Sequence, residues 1–294
     1  MVIAKILGGL GNQLFQYAMG RSLASRTGSE LKLDLDWFAS EGAPGRSFLL
    51  DRFNIHYRVA TDPDIRALLR WRRLLGRDLH EALVPFHRKK YIRLRDFEPF
   101  REKYRTLGGN VYLEGYWTDE RYFRDMSHEL RSEFTLRGEL SPYHRRMSEA
   151  IAGSESVSVH VRRGDYVTHD RFRPIFDICN REYYAKAIDE IVRTVPDPRF
   201  FVFSDDIEWA RRHLRTGHDT AYVSQADGDS PDEELVLMSL CRHNIIANST
   251  FSWWGAWLNR NEGKRVVAPG KWFNIPGRNG GECVPASWTK IEIE

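Results

Sequence analysis

The chain has 294 residues, of which 41% are hydrophobic and 13% aromatic, so it can bury a core and is long enough for two domains. Lys and Arg outnumber Asp and Glu by only three, which argues against a nucleic-acid-binding protein. Three widely spaced cysteines without a CxxC pair argue against a disulfide framework or a zinc knuckle.

The first elements in chain order predict one β-α-β unit. Residues 2–7 are apolar and predict a buried strand, and Gly8-Gly9-Leu10-Gly11 predicts the turn after it. A helical spacing of apolar residues begins at Asn12, and alternation over 31–36 predicts a second strand. The sequence of residues 39–109 is irregular and predicts no definite order of helices and strands. The later elements of this half are a strand at 111–117 and helices at 119–134 and 142–152.

The second half alternates regularly between strand and helix patterns. Strands are predicted at 157–161, 199–204, 221–224, 244–247 and 265–268, and helices at 184–195, 206–214, 233–241 and 251–259. Such alternation indicates a parallel sheet covered by helices, and hence an α/β fold. Two units of this kind, 1–152 and 153–294, predict a ligand at the carboxyl ends of their strands.

The densest group of charged residues follows the strand predicted at 157–161. It comprises His160, Arg162, Arg163 and Asp165, and the carboxyl end of such a strand faces the ligand crevice. Arginine forks bind phosphate oxygens bidentately and can neutralise a diphosphate leaving group. The group therefore predicts a site for an anionic ligand. The alternative is an ion-pair network of the arginines with Asp165.

Two further polar groups stand where a strand meets a helix. A carboxylate at such a place can accept hydrogen bonds from guanine or ribose, or can simply cap the helix. Hydroxyls at a helix N-terminus, beside free backbone N–H groups, form a phosphate site. Both groups are candidates for nucleotide binding. Their members are Ser204, Asp205 and Asp206 in the first, and Asn248, Ser249, Thr250 and Ser252 in the second.

The N-terminal glycines support a rival interpretation. Residues 8–14 nearly match GxGxxG, with Asp34 and Asp36 at a suitable distance for a ribose, as in an NAD(P)- or FAD-dependent oxidoreductase. However, Leu14 replaces the third glycine, where that motif needs close helix–strand packing. A carbohydrate-binding protein without catalysis is a second rival, but it would not need paired arginines.

Four blocks of the sequence, in this order, resemble those of the α-1,2-fucosyltransferase family, glycosyltransferase family 11. They are GGLGNQLFQY at 8–17, HVRRGDY at 160–166, FSDD at 203–206 and NSTFSWW at 248–254. The resemblance implies a GT-B fold, in which two Rossmann-like domains face a central cleft. It also implies an inverting enzyme that transfers L-fucose from GDP-β-L-fucose to the 2-hydroxyl of a galactose-type acceptor.

The resemblance further implies that the two halves bind different substrates. Residues 1–152 would bind the acceptor and residues 153–294 would bind GDP-fucose. Arg162 and Arg163 would hold the diphosphate, Asp205 and Asp206 would serve the nucleotide, Ser249, Thr250 and Ser252 would line the phosphates, and Gly11, Asn12 and Gln13 would border the donor from the opposite domain. The base is left open between Asp165, His160 and a dissociative path that manages with a weak base. So is transfer of another GDP-linked deoxysugar, or of fucose to another hydroxyl.

No metal or other cofactor is expected. Asp34-Leu35-Asp36 and Asp227-Gly228-Asp229 match the DxD pattern of other glycosyltransferases, but a hard cation needs several converging oxygen ligands, and no third ligand is evident. The expected partners are GDP-fucose and a galactose-containing glycan or lipid-linked oligosaccharide. Without a run of about 20 apolar residues, a cytoplasmic enzyme is expected. The basic stretch 70–105 is either a solvated face or a peripheral contact with the inner membrane surface.

Overall fold

A computed structural model describes residues 1–39, 45–75, 84–96, 98–223 and 230–293, with the backbone alone over 71–75. The chain divides into two compact units, Met1–Arg137 and Gly138–Glu294. Each unit is built on a parallel sheet and carries helices, so the predicted α/β class with two Rossmann-like halves is confirmed.

The boundary between the units falls after Arg137, whereas the sequence placed it after residue 152. The difference is the helix Pro142–Ala152, which packs on the later helix Pro231–Leu240 of the C-terminal unit. The buried His144 Nδ1 lies 2.9 Å from Glu233 Oε2, and the Ser141 N–H donates to the same oxygen. These contacts assign the helix to the second unit.

The N-terminal unit contains a five-stranded sheet of order β3-β2-β1-β5-β4, with every pair parallel. Its described elements are β1 (Val2–Lys5), α1 (Leu10–Arg26), β2 (Leu31–Asp34), β3 (Arg58–Val59), α2 (Asp62–Leu75), β4 (Tyr91–Arg93), β5 (Val111–Glu114) and α3 (Ser127–Glu133). Two strands are shorter than predicted, since β1 ends at Lys5 and β5 ends at Glu114. Gly115 follows β5 directly with φ +144°, a conformation in which the strand cannot continue.

The C-terminal unit contains a six-stranded parallel sheet of order β11-β10-β9-β6-β7-β8. Its described strands are β6 (Ser156–Val161), β7 (Arg199–Ser204), β8 (Thr220–Tyr222), β9 (His243–Ile245), β10 (Val266–Pro269) and β11 (Thr289–Ile291). Its described helices are α4 (Pro142–Ala152), α5 (Gly164–Thr168), α6 (Arg173–Phe176), α7 (Arg181–Thr194), α8 (Ile207–His213), α9 (Pro231–Leu240) and α10 (Thr250–Leu258).

The central strand β6 is buried on both faces, and its two faces differ in character. Val157, Val159 and Val161 join a buried apolar cluster that includes the inner side of α7. Alternate residues point to the other face, where Ser158 accepts a hydrogen bond from Asn244 and His160 packs on α10. Arg162 and Arg163 follow directly at the carboxyl end of this strand.

Candidate active site at a strand edge

Strand register brings the charged residues of the C-terminal unit together. β6 and β7 pair in parallel from Ser156↔Arg199 to Val161↔Ser204, so the residues after each strand emerge side by side. Arg162 and Arg163 consequently meet Asp205 and Asp206. Two groups that the sequence identified separately, 42 or more positions apart, thus form one cluster.

Arg162 is held by two carboxylates. Its Nη1 lies 3.0 Å from Asp205 Oδ2 and its Nη2 lies 2.5 Å from Asp165 Oδ1. Burial by itself would lower the pKa of Arg162, but the negative charges of Asp205 and Asp165 raise it above its ordinary value. Its guanidinium carbon also lies 5.4 Å from the centre of the Tyr166 ring. Arg162 is therefore a fixed, permanently charged group.

Arg163 is held differently. Its Nε lies 3.2 Å from Asp206 Oδ2, and its guanidinium carbon lies 4.2 Å from the centre of the Trp209 ring. Among the described residues, the hydrogen bond that this side chain donates to a carboxylate is made by Nε. Its terminal amino groups are therefore the donors of the cluster that a ligand can use.

Asp205 joins the two strand ends. Its Oδ1 accepts the backbone N–H of Arg163 at 2.8 Å, while its Oδ2 faces Arg162. A Cβ on Gly164 would lie 2.4 Å from that Oδ2, so only glycine allows the loop to approach so closely. Asp206 begins α8, since its Oδ1 accepts the Trp209 N–H at 3.1 Å. In this structure both carboxylates position arginines and the helix; their predicted contact with a nucleotide stays a prediction.

His160 and Asp165, the two candidate bases, lie in different environments. The His160 ring is buried and packs 5.5 Å from the Phe251 ring, and its Nδ1 has no hydrogen-bond partner among the residues that the structure describes. Burial, aided by the charge of Arg162, lowers the pKa of His160 to about 3, so the ring is neutral near pH 7. The Asp165 side chain is partly exposed and pairs with Arg162. This arrangement favours a positioning role for both residues.

The predicted phosphate-binding residues lie at the start of α10. Ser249 caps the helix, its Oγ accepting the Phe251 N–H at 3.3 Å, and Thr250 is half-buried beside it. Ser252 is buried, and its hydroxyl donates to the carbonyls of Ala247 and Ser249 at 3.4 and 3.3 Å. At the helix start Thr250 is the partly exposed hydroxyl, whereas Ser249 and Ser252 are buried and hydrogen-bonded within the protein.

The Asn248 side chain bonds the loop before α10 to two other segments of the C-terminal unit. Its Nδ2 donates to the carbonyls of Phe176 and Trp272, at 3.0 and 3.1 Å, and no described residue forms a hydrogen bond with its buried Oδ1. The backbone carbonyl of Asn248 accepts the Tyr166 hydroxyl at 3.3 Å. The tryptophans that follow, at 253, 254 and 257, are buried in the core.

The glycine turn of the N-terminal unit holds its polar residues by backbone contacts. Gln13 is fully buried: its Nε2 donates to the carbonyls of Gly8 and Ser47, and its Oε1 accepts the Leu49 N–H, all within 3.0 Å. Gly11 is buried, and the half-buried Asn12 places its amide against Gly8. The Gln13 side chain therefore shapes the turn, while contact of the turn with a donor stays a prediction.

In the DxD triplet at 34–36, both carboxylate oxygens of Asp34 accept hydrogen bonds from the protein. Asp34 is buried, its Oδ2 accepts the Tyr112 hydroxyl, and its Oδ1 accepts the Asp36 N–H at 3.0 Å. No group of three metal-ligating side chains occurs among the residues that the structure describes. The triplet 227–229 lies outside the described residues, as does part of the basic stretch 70–105. No described helix is long and apolar enough to cross a membrane.

Two residues of the cluster were absent from the sequence-based list of site residues. Trp209 lies under Arg163, and Tyr166 lies beside Arg162 and stacks on Phe176 with 4.9 Å between ring centres. A signal existed for each, because Tyr166 ends the HVRRGDY block and Trp209 falls one helical turn after the capping Asp206. An aromatic residue at such a position is more often part of a core, so sequence alone did not single them out.

Comparison with known proteins covers nearly the whole chain. The profile of "Glycosyl transferase family 11" matches residues 64–289. The alpha-1,2-colitosyltransferase of Escherichia coli is 33% identical, and the alignment covers 99% of each chain. The O-antigen biosynthesis glycosyltransferase WbnK of the same species is 34% identical over 97% of this chain and 98% of its own length. The galactoside alpha-(1,2)-fucosyltransferase 1 of Rattus norvegicus is 28% identical over 85% of this chain and 61% of its own.

Proposed function

The chain belongs to glycosyltransferase family 11, and from that premise we propose that it transfers a deoxysugar from a GDP-linked donor to the 2-hydroxyl of a galactose-type acceptor. The donor we propose first is GDP-β-L-fucose, with an α-1,2-fucoside as the product of inversion. The observation that carries the proposal is the pair Arg162–Arg163 at the carboxyl end of β6, beside Asp205 and Asp206.

The arginine pair suits a departing nucleoside diphosphate. Cleavage of the sugar–phosphate bond leaves negative charge on the diphosphate, and cations that are already in place stabilise that charge without reorganisation. Two of them stand here at the edge where parallel sheets bind ligands. The start of α10 follows β9, the strand that pairs with β6, and adds backbone N–H groups and a helix dipole.

A second donor has a specific argument in its favour. The relative that is 33% identical over 99% of both chains is named an alpha-1,2-colitosyltransferase. Colitose is L-fucose without its 3-hydroxyl, so the two donors share the nucleotide, the diphosphate and most of the sugar. Both this name and that of the rat relative specify an α-1,2 linkage, which supports the proposed linkage for either donor.

In the mechanism we propose, each unit has one task. The C-terminal unit binds the donor, with Arg163 and Arg162 neutralising the diphosphate as the bond to the sugar breaks. The N-terminal unit binds the galactose-type acceptor of a glycan or lipid-linked oligosaccharide. The acceptor oxygen attacks from the face opposite the diphosphate, and its proton goes to water, because Asp165 is paired with Arg162. Cationic side chains and helix dipoles take the place of a metal ion in this scheme.

A donor panel with linkage analysis tests the proposal. The enzyme is incubated with GDP-fucose, GDP-colitose, GDP-mannose or UDP-galactose, each with β-galactosides, and the products are analysed by NMR. We expect transfer from GDP-fucose or GDP-colitose, the product to be an α-linked sugar on O2 of galactose, and activity to persist in EDTA. Transfer from UDP-galactose alone, a product on another hydroxyl, or loss in EDTA restored by Mn²⁺ would contradict the corresponding part.

A further inference from the structure

Arg163 is held from two directions by the first turn of α8. Asp206, the residue that caps this helix, contacts Nε at 3.2 Å. Trp209, in the same turn, lies against the guanidinium at 4.2 Å from its ring centre. The carboxylate contacts the edge of the guanidinium and the aromatic ring packs against its face. Together these two contacts fix the orientation of the guanidinium, which either contact alone would leave free to rotate.

Trp209 is itself firmly placed. Its backbone N–H donates to Asp206 Oδ1 at 3.1 Å, and its backbone carbonyl accepts from His213 Nδ1 at 2.9 Å. The His213 ring stacks on the indole, with 4.7 Å between centres and 25° between planes. The Tyr184 ring lies 6.4 Å away, edge to face. The indole thus has fixed neighbours in addition to the arginine.

We propose that Trp209 is a positioning residue for donor binding: it orients Arg163 so that the terminal amino groups of that arginine meet the diphosphate. This inference rests on the proposed function, since it takes a nucleoside diphosphate as the ligand. The proposal gives Arg162 and Arg163 different roles because their side chains have different contacts. Carboxylates contact both terminal nitrogens of Arg162, whereas in the described part of the chain Arg163 is held by a ring and by a hydrogen bond from Nε, which directs its amino groups to the ligand.

Three ligands distinguish positioning of Arg163 from stacking of Trp209 on the base. GDP has both parts, guanosine has only the base and ribose, and inorganic pyrophosphate has only the charged part. If Trp209 acts through Arg163, Trp209→Leu weakens the binding of GDP and pyrophosphate but leaves guanosine unchanged. If the indole binds guanine directly, guanosine binding falls and pyrophosphate binding is retained, and that result overturns the proposal.

The experiment measures the dissociation constant of GDP by calorimetry in a double-mutant cycle. We expect Trp209→Leu to weaken GDP binding about tenfold, or about 1.4 kcal/mol, and Trp209→Phe to recover a large part of it. In the background of Arg163→Ala, the same Trp209→Leu change should have almost no further effect. His213→Ala removes a ring that stacks on Trp209 but leaves the contact of Trp209 with Arg163, so it should weaken GDP binding less than Trp209→Leu does.

The possible failures are separable. If Arg163→Ala itself leaves GDP binding unchanged, the proposed function of the arginine pair fails, and the inference about Trp209 fails with it. If Arg163→Ala weakens GDP binding but the effects of the two substitutions simply add, only the inference fails. If Trp209→Leu does not fold, Trp209→Phe in both backgrounds supplies the cycle, and additive effects there overturn the inference as well.

Discussion

Two segments each follow the first strand of their unit, the start of α1 after β1 and the loop after β6, and both were expected to meet the donor. The first turn of α1 contains a fully buried glutamine whose amide is bonded to three backbone groups. The loop after β6 contains two partly exposed arginines, which pair with Asp165 at the start of α5 and with Asp205 and Asp206 after β7. Polar side chains that stabilise a turn are thus buried with their hydrogen bonds made, whereas those suited to an anionic ligand keep charge and exposure.

The arginine pair provides the largest test of this contrast. We expect Arg163→Ala to lower kcat/KM by at least about 100-fold, or about 3 kcal/mol, because a departing diphosphate loses a cation. Arg162→Ala should cost a similar amount, since it also leaves Asp165 and Asp205 without their partner. The measurement is kcat/KM with circular dichroism as the control of folding. A folded variant with near-native kcat/KM would make that arginine structural.

Asp165 tests whether a carboxylate beside the arginines acts as a general base or positions Arg162. Because it contacts Arg162 at 2.5 Å, we expect Asp165→Asn to weaken GDP binding and to lower kcat together, each by about tenfold. A general base would behave differently, with kcat falling roughly 10²- to 10⁴-fold and GDP affinity kept. Calorimetry with GDP beside steady-state kinetics distinguishes the two results. Full activity would remove Asp165 from the mechanism.

Gln13 tests the other member of the comparison, the first turn of α1. Replacing it with Leu keeps most of its volume but leaves the Leu49 N–H and two carbonyls without their partner, so we expect the free energy of unfolding to fall by about 2 kcal/mol. GDP affinity should change less than about threefold at a temperature where the variant is folded. Denaturant unfolding and calorimetry measure the two quantities. A large loss of GDP affinity with unchanged stability would mean that Gln13 serves the donor directly.

His160 concerns the dependence of stability on pH and not donor binding. Its pKa is lowered to about 3 by burial and Arg162, so the folded protein resists a proton that the unfolded chain accepts below about pH 6.5. Stability from this residue is therefore complete above pH 6.5 and falls by up to about 1.4 kcal/mol per unit as the pH drops towards 3. The difference in unfolding free energy between wild type and His160→Gln should shift accordingly between pH 7 and pH 5. A constant difference would contradict the buried, neutral ring.

Local pattern was sufficient for the regular elements of the C-terminal half. The valines of β6, the apolar stripe of α7 and the helix of α10 all appear within a few residues of their predicted bounds. The stretch 39–109 was not ordered because β3 and β4 have two and three residues, too few for alternation to show. The boundary at Arg137 was missed because the packing of α4 on α9 joins residues about 90 positions apart.

Residue types and their order were enough to identify the family, the α/β class and the charged group at 160–165, because each depends on short stretches of neighbouring residues. The partners of that group depend on pairing between distant strands. Only the register of β6 with β7 brings Arg162 against Asp205, sets Arg163 over Trp209 and turns His160 inward. The same residue types could have formed other pairs, and the parallel sheet selects one set because it aligns the ends of its strands.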